Sequence, residues 1–166
     1  MIIKYKNYTS GVHSIDERKD SQELGMGEDY TGDVLLSCSM DKSQHQILLN
    51  CEITANVKLS CDRCGEDFLG EIYNEFQVTC FFEEERESKE ENVRFLTAEN
   101  EIIDLSEEVK EYLTLAIPMK ILCDDDCKGL CVSCGANLNE VTCECNKEKI
   151  NPIWDELKKL KNNLNN

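Results

Sequence analysis

Eleven cysteines in 166 residues are the feature of this chain most able to do chemistry. Eight of them fall into four close pairs, Cys61/Cys64, Cys123/Cys127, Cys131/Cys134 and Cys143/Cys145. Zinc takes four thiolates in a tetrahedron, and two short-spaced pairs can supply them, so the pattern predicts two structural zinc ions. Cys61-Asp62-Arg63-Cys64-Gly65 and Cys131-Val132-Ser133-Cys134-Gly135 both have the form of a knuckle. In a knuckle the residue after the second cysteine often needs positive φ, which glycine supplies freely. With one knuckle per metal, Cys61, Cys64, Cys123 and Cys127 form a first site, and Cys131, Cys134, Cys143 and Cys145 a second. The alternative places Cys123, Cys127, Cys131 and Cys134 on one metal and the two outer pairs on the other, and spacing leaves it open. Arg63 and Lys128 lie within or beside the pairs. They either offset the charge of a four-thiolate site or are ordinary surface cations.

A closed four-sulfur site has no open position for water or substrate, so it is structural, and the expectation is a protein that is not an enzyme. The catalytic alternative is thiol redox chemistry at Cys61–Cys64. That needs a helix N-terminus to depress the thiol pKa, and Gly65 leads instead into a strand-like run. His13 and His45 have no cysteine or carboxylate arrangement around them that would make a triad, and no glycine-rich loop is spaced to cradle phosphate. Catalytic and small-molecule-binding residues are therefore expected to be none. Cys38, Cys51 and Cys80 sit singly on the apolar parity of strands and read as small buried hydrophobes.

The elements that must position the cysteines follow from hydrophobic periodicity. Val34, Leu36, Cys38 and Met40 alternate with other residues, a strand spacing. A turn at Asp41-Lys42-Ser43-Gln44 follows. Ile47, Leu49, Cys51, Ile53, Ala55, Val57, Leu59 and Cys61 continue on one parity, and after Cys64-Gly65 a third run carries Phe68, Ile72, Phe76, Val78, Cys80 and Phe82. Together they predict an antiparallel meander with one buried face. Residues 1–8 read as a short strand, 9–32 as a loop and 83–91 as a charged, mobile loop. Ile102-Ile103 reads as a further strand. Asp104 and Glu107 form a capping box for an amphipathic helix carrying Leu105, Val109, Tyr112, Leu113 and Ala116, ended by Pro118. Asn151-Pro152 starts a terminal helix with Ile153, Trp154, Leu157 and Leu160 on one stripe. The fold class is α+β: an antiparallel β-meander packed with one helix, a zinc-stapled C-terminal tail and a short terminal helix. Residues 1–122 form the core domain with the central cysteine pair, and 123–166 the cysteine-rich tail.

The formal charge is −16. From Glu83 to Glu111 twelve acids face four basic residues, a net −8. RNA wrapping depends on Lys and Arg displacing counterions, so a broad RNA-binding groove is not expected. An acidic body suits a basic partner; the plainer alternative is that it only keeps the protein soluble. Basic residues concentrate late, at Lys147, Lys149, Lys158, Lys159 and Lys161. No run can span a membrane, and no apolar stretch follows the lysines of Met1-Ile2-Ile3-Lys4-Tyr5-Lys6. The expected compartment is the cytoplasm, where thiols stay reduced and disulfides are not expected.

The run Cys123-Asp124-Asp125-Asp126-Cys127-Lys128-Gly129-Leu130-Cys131-Val132-Ser133-Cys134-Gly135-Ala136-Asn137-Leu138-Asn139, followed by Cys143-Glu144-Cys145, resembles the C-terminal signature of the family named for large ribosomal RNA subunit accumulation (YceD-like), with its extra C-terminal cysteine motif. Cys61-Asp62-Arg63-Cys64 between two long strands is similar to its central motif. The helix Asp104–Ala116 and the closing run from Asn151 to Leu160 also fall where that family has them. Val132 departs from the pattern, where relatives often have proline. The resemblance implies a ribosome biogenesis factor supporting synthesis, processing or accumulation of 23S ribosomal RNA, with no catalytic residue carried over. It would act by binding a nascent large ribosomal subunit or a basic ribosomal protein, with no membrane and no small-molecule substrate. The alternatives are a direct RNA-binding zinc module that contacts rRNA, and a thiol oxidoreductase.

Overall fold

The structure, a computed structural model, describes residues 1–82 and 92–145. The chain divides into two compact units, Met1–Cys61 with Glu66–Cys123, and Asp62–Gly65 with the residues from Asp124 onward. The first unit holds the regular elements: strands β1 (Ile2–Ile3), β2 (Gly11–Asp20), β3 (Tyr30–Lys42), β4 (Gln46–Ser60), β5 (Asp67–Phe81), β6 (Val93–Phe95) and β7 (Ile103–Asp104), and helix α1 (Ser106–Ala116). The class is α+β, mostly sheet with one helix among the described residues.

Strands β2 to β5 run as an antiparallel meander, β6 joins β5 in parallel, and β1 pairs with β7 as a separate antiparallel ribbon. The period-2 pattern decides which face is buried. Val34, Leu36, Cys38 and Met40 of β3, Ile47 to Val57 at alternate positions of β4, and Ile72, Phe76, Val78 and Cys80 of β5 are all buried. Helix α1 adds Val109 and Leu113 to this core, with Leu105 just before it, each fully buried. Tyr112 stacks on Phe76 with ring centroids 4.9 Å apart, and Asn74 Nδ2 donates to Tyr112 O at 2.7 Å. Arg94 pairs with the buried Glu108, and its Nη1 donates to Asp104 O at 2.7 Å.

Three local readings are corrected. Residues 9–32 are not all loop, because Gly11–Asp20 is strand β2. Only Ile15 of that strand is buried, so it shows no apolar alternation, as suits an edge strand with one short contact to the core. The helix start is not a reciprocal capping box. Asp104 Oδ1 accepts from Ser106 N at 3.0 Å and Ser106 Oγ at 2.6 Å, while Glu107 turns outward to Lys110 at 2.9 Å. Residues 1–8 form the two-residue β1 and then a 3-10 turn, Tyr5–Asn7.

The fourth correction concerns Cys38 and Cys51, which are joined by a disulfide rather than standing as separate small hydrophobes, against the expectation that a chain of the cytoplasm carries no disulfide. The register of the β3–β4 hairpin is the cause. It sets Lys42 opposite Ile47 and therefore Cys38 opposite Cys51, with Cα atoms 4.1 Å apart. Cys80 remains a lone buried thiol, pushed up to about 11 by burial. The 83–91 loop and the terminal helix from Asn151 lie outside the described residues.

Candidate metal centres

The first cysteine group grows out of the longest hairpin. The β4–β5 ladder runs to Ser60↔Asp67, and Cys61 N donates to Glu66 O at 2.9 Å to close the turn. Gly65 takes φ of 72° after Cys64, the backbone that a knuckle requires. Within the second unit the knuckle is braced from both sides. Arg63 O accepts from Leu130 N at 3.1 Å, and Arg63 Nη1 donates to Asp125 O at 3.0 Å and Cys127 O at 2.8 Å. Cys127 N bonds Asp124 O at 3.0 Å, and Asn139 Nδ2 donates to Cys127 Sγ at 3.2 Å. The sulfurs of Cys61, Cys64, Cys123 and Cys127 lie within 4.8 Å of one another, with Cys123 exposed and the other three buried.

The second group is local to the tail. Cys131 N bonds Ala136 O and Gly135 N bonds Cys131 O, both at 2.8 Å, and Gly135 has φ of 75°. Cys143 Sγ lies 3.4 Å from both Cys134 Sγ and Cys131 Sγ. Cys131, Cys134, Cys143 and Cys145 again have all four sulfurs within 4.8 Å. Backbone N–H groups of Ser133 and Cys134 point at Cys131 and pull its thiol down to about 6. Cys145, hydrogen-bonded to the Cys143 and Cys134 sulfurs, is pushed up to about 12. Four thiolates cannot share so small a volume without a cation, and this is the condition a dication relieves.

The geometry fits a metal. A tetrahedron with metal–sulfur bonds of about 2.3 Å has sulfur–sulfur edges of about 3.8 Å, so sulfurs within 4.8 Å need little adjustment. The two tetrads could each hold a metal ion. The opposite division, with the middle two pairs sharing one ion, is not how the sulfurs are grouped.

The model of one protein family, described as large ribosomal RNA subunit accumulation protein YceD, matches residues 49–161. The chain belongs to the YceD family. All eight paired cysteines fall inside the matched stretch. Two curated relatives carry the name large ribosomal RNA subunit accumulation protein YCED homolog 1, chloroplastic. The one from Arabidopsis thaliana is 25% identical over 82% of this chain and 52% of its own length. The one from Zea mays is 25% identical over 84% of this chain and 60% of its own length. This chain thus spans a little over half the length of the relatives it matches. No solved structure matches it significantly.

Other expected participants take different places in this YceD-family chain. Arg63 braces the backbone around Cys127 through carbonyl oxygens. The Lys128 N–H donates to Asn139 Oδ1 at 2.7 Å. His13 Nε2 meets Thr9 O at 2.9 Å and its ring lies against Tyr8, while His45 is exposed in the β3–β4 turn. Asn139 carries a role that cysteine spacing did not indicate. Its signal in the sequence was the Asn137-Leu138-Asn139 run inside the cysteine loop, polar amides where a turn needs local partners. No helix among the described residues is long and apolar enough to cross a membrane.

Proposed function

We propose that this protein supports large-subunit ribosomal RNA accumulation as a non-catalytic binding factor of the cytoplasm, with two structural zinc ions holding its tail. The observation that carries the reading is a pair of closed four-cysteine groups in a chain of the YceD family. Zinc suits four thiolates in a tetrahedron, and four protein ligands leave no position for substrate.

Charge supports a basic partner over bare RNA. On the face of β2–β5 opposite the core, the register places Asp16, Asp20, Asp33, Asp41, Glu52, Asp67, Glu71 and Glu75 against only Arg18 and Lys58. Such a face repels phosphate and speeds association with a basic ribosomal protein or with the protein surface of a nascent large subunit. Filling both tetrads would take the formal charge from −16 to −20, since eight thiolates carry more charge than two dications remove.

The test is affinity capture of the zinc-loaded chain from cells at physiological salt, with bound protein and RNA identified and nuclease applied in parallel. Large-subunit proteins retained after nuclease support the reading, and absence of large-subunit components overturns it. Tight binding to bare large-subunit RNA, weakening steeply with salt, would favour the RNA-binding alternative through Lys147–Lys161.

A further inference from the structure

Between the two tetrads the chain runs through only Lys128, Gly129 and Leu130, so Cys127 of one group and Cys131 of the other share a short strap. Arg63 O holds the strap through Leu130 N–H at 3.1 Å. The loop beyond Cys134 holds it as well: Leu138 N donates to Gly129 O at 2.9 Å, and Leu130 pairs with Asn137 across an antiparallel bridge. Asn139 completes the connection. Its Nδ2 donates to Cys127 Sγ at 3.2 Å and Asn137 Oδ1 at 2.9 Å, and its Oδ1 accepts the Lys128 N–H at 2.7 Å. The amide orientation follows from chemistry, because a backbone N–H can be met only by the amide oxygen, which leaves the NH2 for sulfur. An N–H aimed at a thiolate steadies its charge and sets its direction, the task of a group behind a metal ligand. Asn139 itself lies between Cys134 and Cys143, inside the loop that the second tetrad closes.

We propose that Asn139 is a positioning residue that couples the two metal centres. Metal on Cys131, Cys134, Cys143 and Cys145 orders the loop that aims Asn139 Nδ2 at Cys127, so filling the second centre raises the affinity of the first. The coupling is reciprocal, because linkage requires each site to favour the other equally. This inference rests on the reading that both tetrads bind zinc.

The test titrates the full-length metal-free chain with Co²⁺ and then Zn²⁺, following the thiolate-to-cobalt absorption and mapping which cysteines resist alkylation. The wild-type chain takes two equivalents. Asn139→Ala keeps the four-thiolate spectrum but weakens one site about 10–100-fold, the usual effect of removing a partner behind a metal ligand, and Cys61, Cys64 and Cys127 lose protection first. Asn139→Asp still accepts the Lys128 N–H but turns a carboxylate toward sulfur, so it weakens the site at least as much as Asn139→Ala. In the Cys143→Ser/Cys145→Ser chain the remaining site is already weakened, and adding Asn139→Ala has little further effect. Full rescue by Asn139→Asp means the side chain only braces Lys128 and overturns the proposal, as do losses that simply add in the combined variant. If the cysteine variant does not fold, the comparison of Asn139→Asp with Asn139→Ala, both at an exposed position, decides alone. A wild-type chain that takes no metal overturns the zinc reading and the coupling together, whereas two metals with independent affinities overturn the coupling only.

Discussion

Gly129→Ala is the substitution whose effect follows most directly from the geometry of the tail. Gly129 stands at φ of 70°, and a Cβ built there would lie 2.9 Å from Arg63 O, the atom that accepts from Leu130 N at 3.1 Å. Left-handed backbone alone costs a non-glycine residue about 1–2 kcal/mol. Displacing Arg63 O adds the loss of a hydrogen bond worth about 0.5–1.5 kcal/mol net, and crowding against backbone adds to that. Gly135→Ala is the control, because Gly135 has φ of 75° but nothing within 4 Å of the added Cβ. It carries the first term only. Among the described residues after Cys123 only Cys127 and Gly129 are buried, so under the zinc proposal folding of this segment and metal binding are one process, and the cost is read as lost metal affinity at tenfold per about 1.4 kcal/mol. Competition with a chromophoric chelator should show Gly135→Ala weakening zinc binding by about tenfold and Gly129→Ala by about a hundredfold. Far-ultraviolet circular dichroism should show the sheet intact in both. Equal effects from the two, or a silent Gly129→Ala, would refute the idea that the Arg63 knuckle is strapped to the Gly129–Leu130 segment.

Alkylation in denaturant after chelation should modify nine of the eleven cysteines without reductant and all eleven with it; eleven without reductant would mean that Cys38 and Cys51 are not bonded. Leu113→Ala, at a fully buried helix position, should destabilise the sheet unit by about 2–5 kcal/mol in urea unfolding, and a loss under about 1 kcal/mol would contradict the packing of α1. Reversing Glu83, Glu84, Glu85 and Glu87 to Lys should slow association with a captured basic partner, and salt should erase much of the difference. Unchanged binding by that variant, still folded, would leave this segment a solubilising one.

The meander was legible because the apolar residues of β3, β4 and β5 favour one parity over a long run, and the apolar residues on that face are buried apart from Leu59, Phe68 and Phe82, which are half-buried. Strand β2 was not legible, since an edge strand with Ile15 as its one buried residue carries no periodic signal. The disulfide was hidden by a turn placed two residues too early, which shifts the pairing by four. A turn at Asp41–Gln44 would set Cys38 opposite Ile47, whereas the hairpin turns at Ser43–Gln46, where Ser43 N bonds Gln46 O at 2.8 Å, and Cys51 becomes the partner. Parity gives the face of a strand, but only the turn gives the pairing. The cysteine pairs were legible from spacing, and the knuckle glycines from the backbone that a knuckle demands. For Asn139 the amide run at 137–139 signalled only a turn, because its role depends on how the loop after Cys134 folds back on Lys128 and Cys127.

The central claim is that two four-thiolate zinc centres hold this YceD-family chain together, and the metal content of the protein tests it most directly. Elemental analysis of the full-length protein, purified under reducing conditions without added metal, should find about two zinc ions per chain, as two tetrads of four thiolates require. Zinc at one equivalent per chain would leave only one centre standing, and its absence would contradict the account.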